Sequence, residues 1–74
     1  MSDFFEIQSS MIKGYQYDPN AWELILHFHN GDLYKYNRVN PHVVSGFLLS
    51  ESKGSYFNNV IKGRFESSKV DFSN

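Results

Sequence analysis

The chain has no cysteine among its 74 residues. Neither a disulfide framework nor a thiolate metal site is open to it, which fits a reducing compartment. It has only two prolines, Pro19 and Pro41, each beside a turn or helix-start signal. No apolar run approaches the roughly 20 residues needed to span a bilayer. The N-terminal stretch Met1-Ser2-Asp3-Phe4-Phe5-Glu6 is acidic where a secretory signal would be basic. The expectation is a soluble cytoplasmic protein that does not engage a membrane. No Ser, His and Asp set stands in a catalytic motif, so the chain reads as a binding protein and not an enzyme, with no cofactor implied.

What it has in excess is aromatic side chains, 18% of the residues, within a composition that is 41% hydrophobic and 20% charged. A domain this small buries only about 60% of the surface its unfolded chain exposes, and aromatics supply the buried area that a short chain otherwise lacks. The net charge of −1 argues against a general nucleic-acid binder, yet the charges are unevenly placed. Residues 1–34 carry five acidic side chains against Lys13, and residues 35–64 carry Lys35, Arg38, Lys53, Lys62 and Arg64 against Glu51. A basic face can therefore form within a nearly neutral molecule. Solvated charges with no partner are the plainer reading.

Residues 1–8 read as an N-terminal tail able to add an edge segment through Phe4, Phe5 and Ile7, residues 9–65 as a single domain, and residues 66–74 as a polar C-terminal tail. Met11 to Tyr17 reads as a first strand, closed by Asp18-Pro19-Asn20-Ala21, a type I turn signal. Trp22, Leu24, Leu26 and Phe28 then alternate with Glu23, Ile25, His27 and His29, the period-two pattern of a strand with one buried face. Asn30-Gly31 turns the chain into a third strand, about Asp32 to Val39. Asn40-Pro41 is an N-cap with proline at the first helical position. Val43, Val44, Phe47 and Leu48 make one stripe of a helix from Pro41 to about Ser50, weakened at Gly46. A second short helix, with Ser55 as its cap, carries Tyr56, Phe57, Val60 and Ile61 and ends at Gly63. The fold class expected is α+β: a three-stranded antiparallel meander followed by two short helices on one sheet face. The expected core is Trp22, Leu24, Leu26, Phe28, Tyr34, Tyr36, Phe47, Phe57 and Ile61.

The order Ser10, Ile12, Tyr17-Asp18, Leu24, Leu26, Phe28, Asn30-Gly31, Tyr34-x-Tyr36 and then Ser52-x-Gly54-x-Tyr56-Phe57-Asn58-x-x-Ile61-x-Gly63-x-Phe65 resembles the KTSC domain over about residues 9–65. That family takes its name from the C-terminal extension of certain lysyl-tRNA synthetases and also occurs as small free-standing proteins of bacteria and phages. The resemblance implies RNA as a partner, through that association, and supplies no catalytic residue. Asn40-Pro41 departs from the Val-Pro pair more common in the family.

Tyr34-Lys35-Tyr36 can be a base-stacking platform or sheet core, and strand register decides which. A two-residue turn at Asn30-Gly31 sets Leu26 opposite Lys35, with Lys35 and Asn37 on the apolar face. A three-residue loop with Gly31 in a bulge sets Leu26 opposite Tyr34 and Leu24 opposite Tyr36. Burying an unpaired lysine costs several kcal/mol, whereas a tyrosine can bury its ring and keep its hydroxyl at the rim. The bulged register is favoured, and of the three residues it is Lys35 that would meet a ligand. The opposite face would then carry Ile25, His27, Leu33, Lys35, Asn37 and Val39. It could be a contact site for a protein partner or self-association, or a surface covered by Phe4, Phe5 and Ile7.

Two further segments carry residues of site-forming types. Ser52-Lys53-Gly54-Ser55 offers backbone amides, one lysine and a glycine to an anion or nucleotide, although serine and glycine before a helix are ordinarily loop and cap. Lys62 and Arg64 can join that patch or stabilise a helix end. His27 and His29 point the same way with Asp32 nearby, but no other His or carboxylate, His42 included, completes the four ligands of a closed site, so no metal is expected. The leading expectation is a non-catalytic module for RNA or another nucleic acid, using Lys35, Arg38, Lys53, Gly54, Ser55, Lys62 and Arg64. The alternatives are a protein-interaction module and an anion binder at the 52–55 loop.

Overall fold

The alternation from Leu24 to Phe28 builds the central strand of an antiparallel sheet, and every other element is placed relative to it. The computed structural model describes residues 3–70; the parts of the expected tails at residues 1–2 and 71–74 lie outside them. Five strands follow in sheet order: β1 (Phe5–Glu6), β2 (Ile12–Asp18), β3 (Glu23–Phe28), β4 (Leu33–Tyr36) and β5 (Ser67–Val70). The expected three-stranded meander is thus the middle of a five-stranded sheet. The edge segment expected of the N-terminal tail is present at residues 5–6, whereas residues 67–70, expected within a polar tail, form the other edge strand. Neither edge shows in the sequence pattern because both are short and mostly exposed. Their pairing rests on backbone hydrogen bonds, which any residue but proline can make. β1 is held beyond its own length by the Ile7 amide donating to the Lys13 carbonyl at 3.0 Å, and β5 by the Asn37 amide donating to the Glu66 carbonyl at 2.9 Å.

The register between β3 and β4 sets Leu24 opposite Tyr36, Ile25 opposite Lys35 and Leu26 opposite Tyr34. It follows from the turn: the Phe28 amide donates to the Asp32 carbonyl at 2.9 Å, the Gly31 amide to the Phe28 carbonyl at 3.0 Å, and Gly31 has φ +97°. Two residues of spacing put Phe28, Leu26, Leu24, Tyr34 and Tyr36 on one face, and Ile25, His27, Leu33 and Lys35 on the other. Asn30 locks the turn by accepting the Asp32 amide at 2.9 Å.

Helix α1 (Pro41–Leu49) starts where Asn40 Oδ1 accepts the His42 amide at 2.7 Å and stops at Ser50, whose hydroxyl donates to the Phe47 carbonyl at 2.8 Å. The second helical segment is α2 (Lys53–Tyr56), followed directly by a π-helical turn from Phe57 to Ile61. Its cap is Ser52 and not Ser55: Ser52 Oγ accepts the Ser55 amide at 3.3 Å. The π turn closes with the Lys62 amide donating to the Phe57 carbonyl at 2.7 Å, and Gly63 follows with φ +77°.

The core between sheet and helices holds Ile12, Leu24, Leu26, Tyr36, Val39, Val44, Phe47, Phe57 and Ile61, with Phe28 and Tyr34 half-buried against it. Trp22 does not belong there, being 43% exposed. It precedes β3 and sits at φ +55°, so the period-two extrapolation from Leu24 fails one step too early. Its backbone is used instead, its carbonyl accepting the Val39 amide at 2.7 Å. Val39 lies beyond the end of β4 and is fully buried, a correction to its placement on the opposite face. Between them Arg38 takes φ +60°, the left-handed region that costs a non-glycine residue roughly 1–2 kcal/mol.

Candidate functional site

Register decides what the tyrosines of β4 can do. Tyr34 and Tyr36 stand on the helix-bearing face, and with Phe28 of β3 and Phe57 of the π turn they line an open cleft of about 330 Å³, near the lower end of ordinary ligand pockets. The rings meet edge to face: Phe28 and Tyr34 at 5.9 Å between centroids, Phe28 and Phe57 at 5.4 Å, Tyr36 and Phe57 at 6.0 Å. Edge-to-face packing holds the rings against one another, with Tyr36 and Phe57 buried and Phe28 and Tyr34 half-buried. The other lining residues are polar: Asn30 and Asp32 from the turn, Lys62 and Gly63 from the end of the π turn, and Ser67 from β5.

The π turn bonds two cleft residues directly, because the Phe57 carbonyl takes the Lys62 amide. Such turns hold one residue more than an α turn and recur at functional sites. Here the result is that Phe57, buried, and Lys62, exposed, line the same opening. Burial of Tyr36, with Tyr34 beside it as the smaller cause, pushes its hydroxyl pKa up to about 12, so the group is a protonated donor at any physiological pH.

Asp32 is held at the rim from two sides. Lys69 Nζ lies 3.4 Å from Oδ1, and Asn30 Nδ2 donates to Oδ2 at 3.3 Å. Lys69 is the cross-strand partner of Tyr34, and Ser67 that of Tyr36, so both face the cleft side of the sheet. These two, with Asn30, Asp32 and the rings as cleft wall, are what sequence reasoning missed. No pattern in the sequence marks Ser67 and Lys69, because Ser68 between them is polar as well.

Arg38 and Arg64 line a second depression with Asn37, Phe65 and Glu66. It shares no lining residue with the aromatic cleft. Of the basic residues singled out from the sequence, Lys62 lines the cleft, and Arg38 and Arg64 line the second depression. Lys35 does not: it is on the opposite sheet face, 4.0 Å from Glu23. Tyr34 of the β4 triplet, and not Lys35, opens onto the cleft. Lys53 is also elsewhere, its Nζ donating to the Ser50 carbonyl at 2.7 Å, where it caps the end of α1. With Ser52 Oγ taking the Ser55 amide, and Gly54 lying in the first turn of α2 against Met11, the 52–55 segment has structural partners of its own.

On the opposite face, His27 Nε2 lies 2.7 Å from Gln16 Oε1 and its ring is 4.6 Å from that of Phe4. Burial first, and Lys13 second, lower the His27 pKa. His29 Nε2 is 2.8 Å from the Ser9 carbonyl oxygen. Among the described residues no three His, Asp or Glu side chains gather as metal ligands, and no helix is long and apolar enough to cross a membrane.

The family model described as the KTSC domain matches residues 8–65. The chain belongs to the KTSC domain family. A crystal structure of a KTSC domain protein from Yersinia pestis superposes with a TM-score of 0.90 at 32% identity, covering 96% of this chain and all of that one. An uncharacterised protein of Stutzerimonas stutzeri is 41% identical over 56 residues, 76% of this chain and 79% of its own. A lysine–tRNA ligase of Nostoc sp. is 39% identical over 59 residues, 80% of this chain and 10% of the ligase. The KTSC domain thus spans about a tenth of such a ligase, and it also makes up most of small proteins.

Proposed function

We propose that this KTSC domain is a non-catalytic RNA-binding module that takes one unstacked base into the aromatic cleft and the adjoining phosphates on Lys62, Arg64 and Arg38. The observation that carries the reading is the cleft itself, with Phe28, Tyr34, Tyr36 and Phe57 in its wall and Lys62 at the same opening. Single-stranded RNA is recognised by aromatic faces that stack bases and by cations that track the backbone, and residues of both kinds line this opening. The presence of related segments in lysine–tRNA ligases, enzymes whose named substrate is an RNA, supports the same class of partner. The test is a titration of a labelled tRNA and a single-stranded oligonucleotide at low and moderate salt. Saturable binding that weakens with salt is expected, reduced by Tyr34→Ala. No saturable binding at either salt would remove the reading.

A protein contact is favoured by a separate observation. Leu49, at the end of α1, is 85% exposed, beside a groove lined by Phe5, Tyr15, Tyr17, Pro41, Val44 and Leu48. Exposed apolar groups grouped in this way mark contact surfaces. Light scattering of the wild type and a Leu49→Ser variant tests it: a strict monomer in both excludes self-association.

A further inference from the structure

The cleft's polar rim is specific enough to choose among bases. Resting on the RNA reading above, the geometry points to guanine as the base taken into the cleft, selected by the Asp32 carboxylate.

A carboxylate only accepts hydrogen bonds, and it has two oxygens side by side. Its best complement is an edge with two adjacent donors. Guanine alone among the four bases has that edge, in N1–H and the N2 amine. Adenine and cytosine place a ring-nitrogen acceptor next to their amine, which would face a carboxylate oxygen and repel it. Uracil places its single N–H between two carbonyls. The remainder of the rim fits the other side of the same base, for guanine carries O6 and N7 as acceptors, and Lys62 and Ser67 supply an ammonium and a hydroxyl to the same opening.

Asp32 is positioned for this role by contacts that leave it acceptor capacity. Lys69 at 3.4 Å and the Asn30 amide at 3.3 Å each engage one oxygen, and a carboxylate offers about four lone-pair sites. The turn beneath it is fixed by the Asp32 amide donating to Asn30 Oδ1 at 2.9 Å. A cleft of aromatic rings and one carboxylate could in general hold an organic cation. Lys62 in the same opening favours an anionic strand instead.

The experiment compares uridine oligonucleotides that carry one central guanine, adenine, cytosine or inosine, titrated against the whole chain by fluorescence anisotropy. The guanine oligonucleotide is expected to bind about 10- to 100-fold more tightly than the others, the range typical of one well-made bidentate base contact. Inosine, which lacks the N2 amine, should lose most of that advantage. Asp32→Asn should abolish the guanine preference, so that the guanine oligonucleotide binds no more tightly than the adenine, cytosine and inosine ones. Equal binding of all the oligonucleotides, or inosine equal to guanine, overturns the base assignment and leaves the RNA reading standing. Inosine gives that answer even if the Asp32→Asn chain fails to fold. A uniform loss across all oligonucleotides in a folded Asp32→Asn chain also overturns it. Failure of every oligonucleotide to bind, or saturable binding of a trimethyllysine peptide in their place, overturns both.

Discussion

The Tyr56 hydroxyl occupies the space that a side chain at position 46 would need. A Cβ built on Gly46 would lie 2.5 Å from the Tyr56 oxygen and 3.1 Å from the ring carbon bearing it, and that hydroxyl donates to the Val43 carbonyl at 2.9 Å. A helix-weakening glycine is thus the contact point at which the second helical segment rests on α1, and the Tyr56 ring stays 5.9 Å from that of Phe47.

Gly46→Ala should therefore destabilise the domain by about 1 kcal/mol. Helix propensity would favour alanine by up to about 1 kcal/mol, but overpacking typically costs about 1–3 kcal/mol and a lost hydrogen bond about 0.5–1.5 kcal/mol. In a Tyr56→Ala background the obstruction is gone and the same substitution should become stabilising. A double-mutant cycle by urea denaturation checks the reversal; the same sign in both backgrounds would contradict the packing account.

Much of the interior was legible because desolvation is a strong constraint. The unfavourable burial of Lys35 was enough to choose the bulged register, and from it the placement of Leu24, Leu26, Tyr34 and Tyr36. The helices were legible from their apolar stripes and from Asn40-Pro41. What could not be read is what backbone geometry decides. Trp22 falls outside the core because its φ is positive, and Ser67–Val70 joins the sheet with no apolar alternation to announce it. The cleft arises where β5, the π turn and the β3–β4 turn converge, and its polar residues are far apart in sequence. Position alone could not show that Arg38 and Arg64 line one depression and Lys62 another while Lys53 caps a helix.

Gly14 governs the other edge of the sheet. A Cβ there would collide with the Phe4 ring, which lies over it, and come within 2.5 Å of the Phe5 carbonyl oxygen. Gly14→Ala should release β1 at a cost of about 1–3 kcal/mol. The Ile7 amide, bonded to the Lys13 carbonyl, should lose hydrogen-exchange protection, while the amides of β3 and β4 keep theirs. RNA binding should be unaffected, because Phe4 lies against His27, on the face away from the cleft.

Stability should fall in strong base on account of Tyr36. Tyrosines of the unfolded chain ionise near pH 10, whereas Tyr36 in the folded chain holds its proton to about 12. Between those values the unfolded state binds fewer protons than the folded one, so the contribution is complete below about pH 10 and is lost as pH rises to about 12. Tyr36→Phe should flatten this part of the urea-midpoint profile, and an unchanged slope would refute the assignment. His27 acts on the acid side. Its pKa is lowered on folding, so its contribution is present above the ordinary histidine value of about 6.5 and is lost as pH falls. His27→Gln should reduce the decline there.

The division of the cations predicts how binding depends on salt. Each phosphate neutralised on single-stranded nucleic acid contributes a slope of about −0.7 to the logarithmic plot of affinity against salt. Arg38 and Arg64 line one depression together, and as phosphate contacts under the proposed reading Arg38→Ala and Arg64→Ala should each weaken oligonucleotide binding and make the slope shallower by about 0.7. Arg38→Gly should do the same while tolerating the φ of +60° at this position better than alanine. Lys35→Ala, on the far face beside Glu23, should leave the slope unchanged, and so should Lys53→Ala, whose ammonium caps α1. Equal effects at all four positions would mean that the protein attracts RNA by diffuse charge alone, and Arg38 and Arg64 would lose their claim to be part of the site.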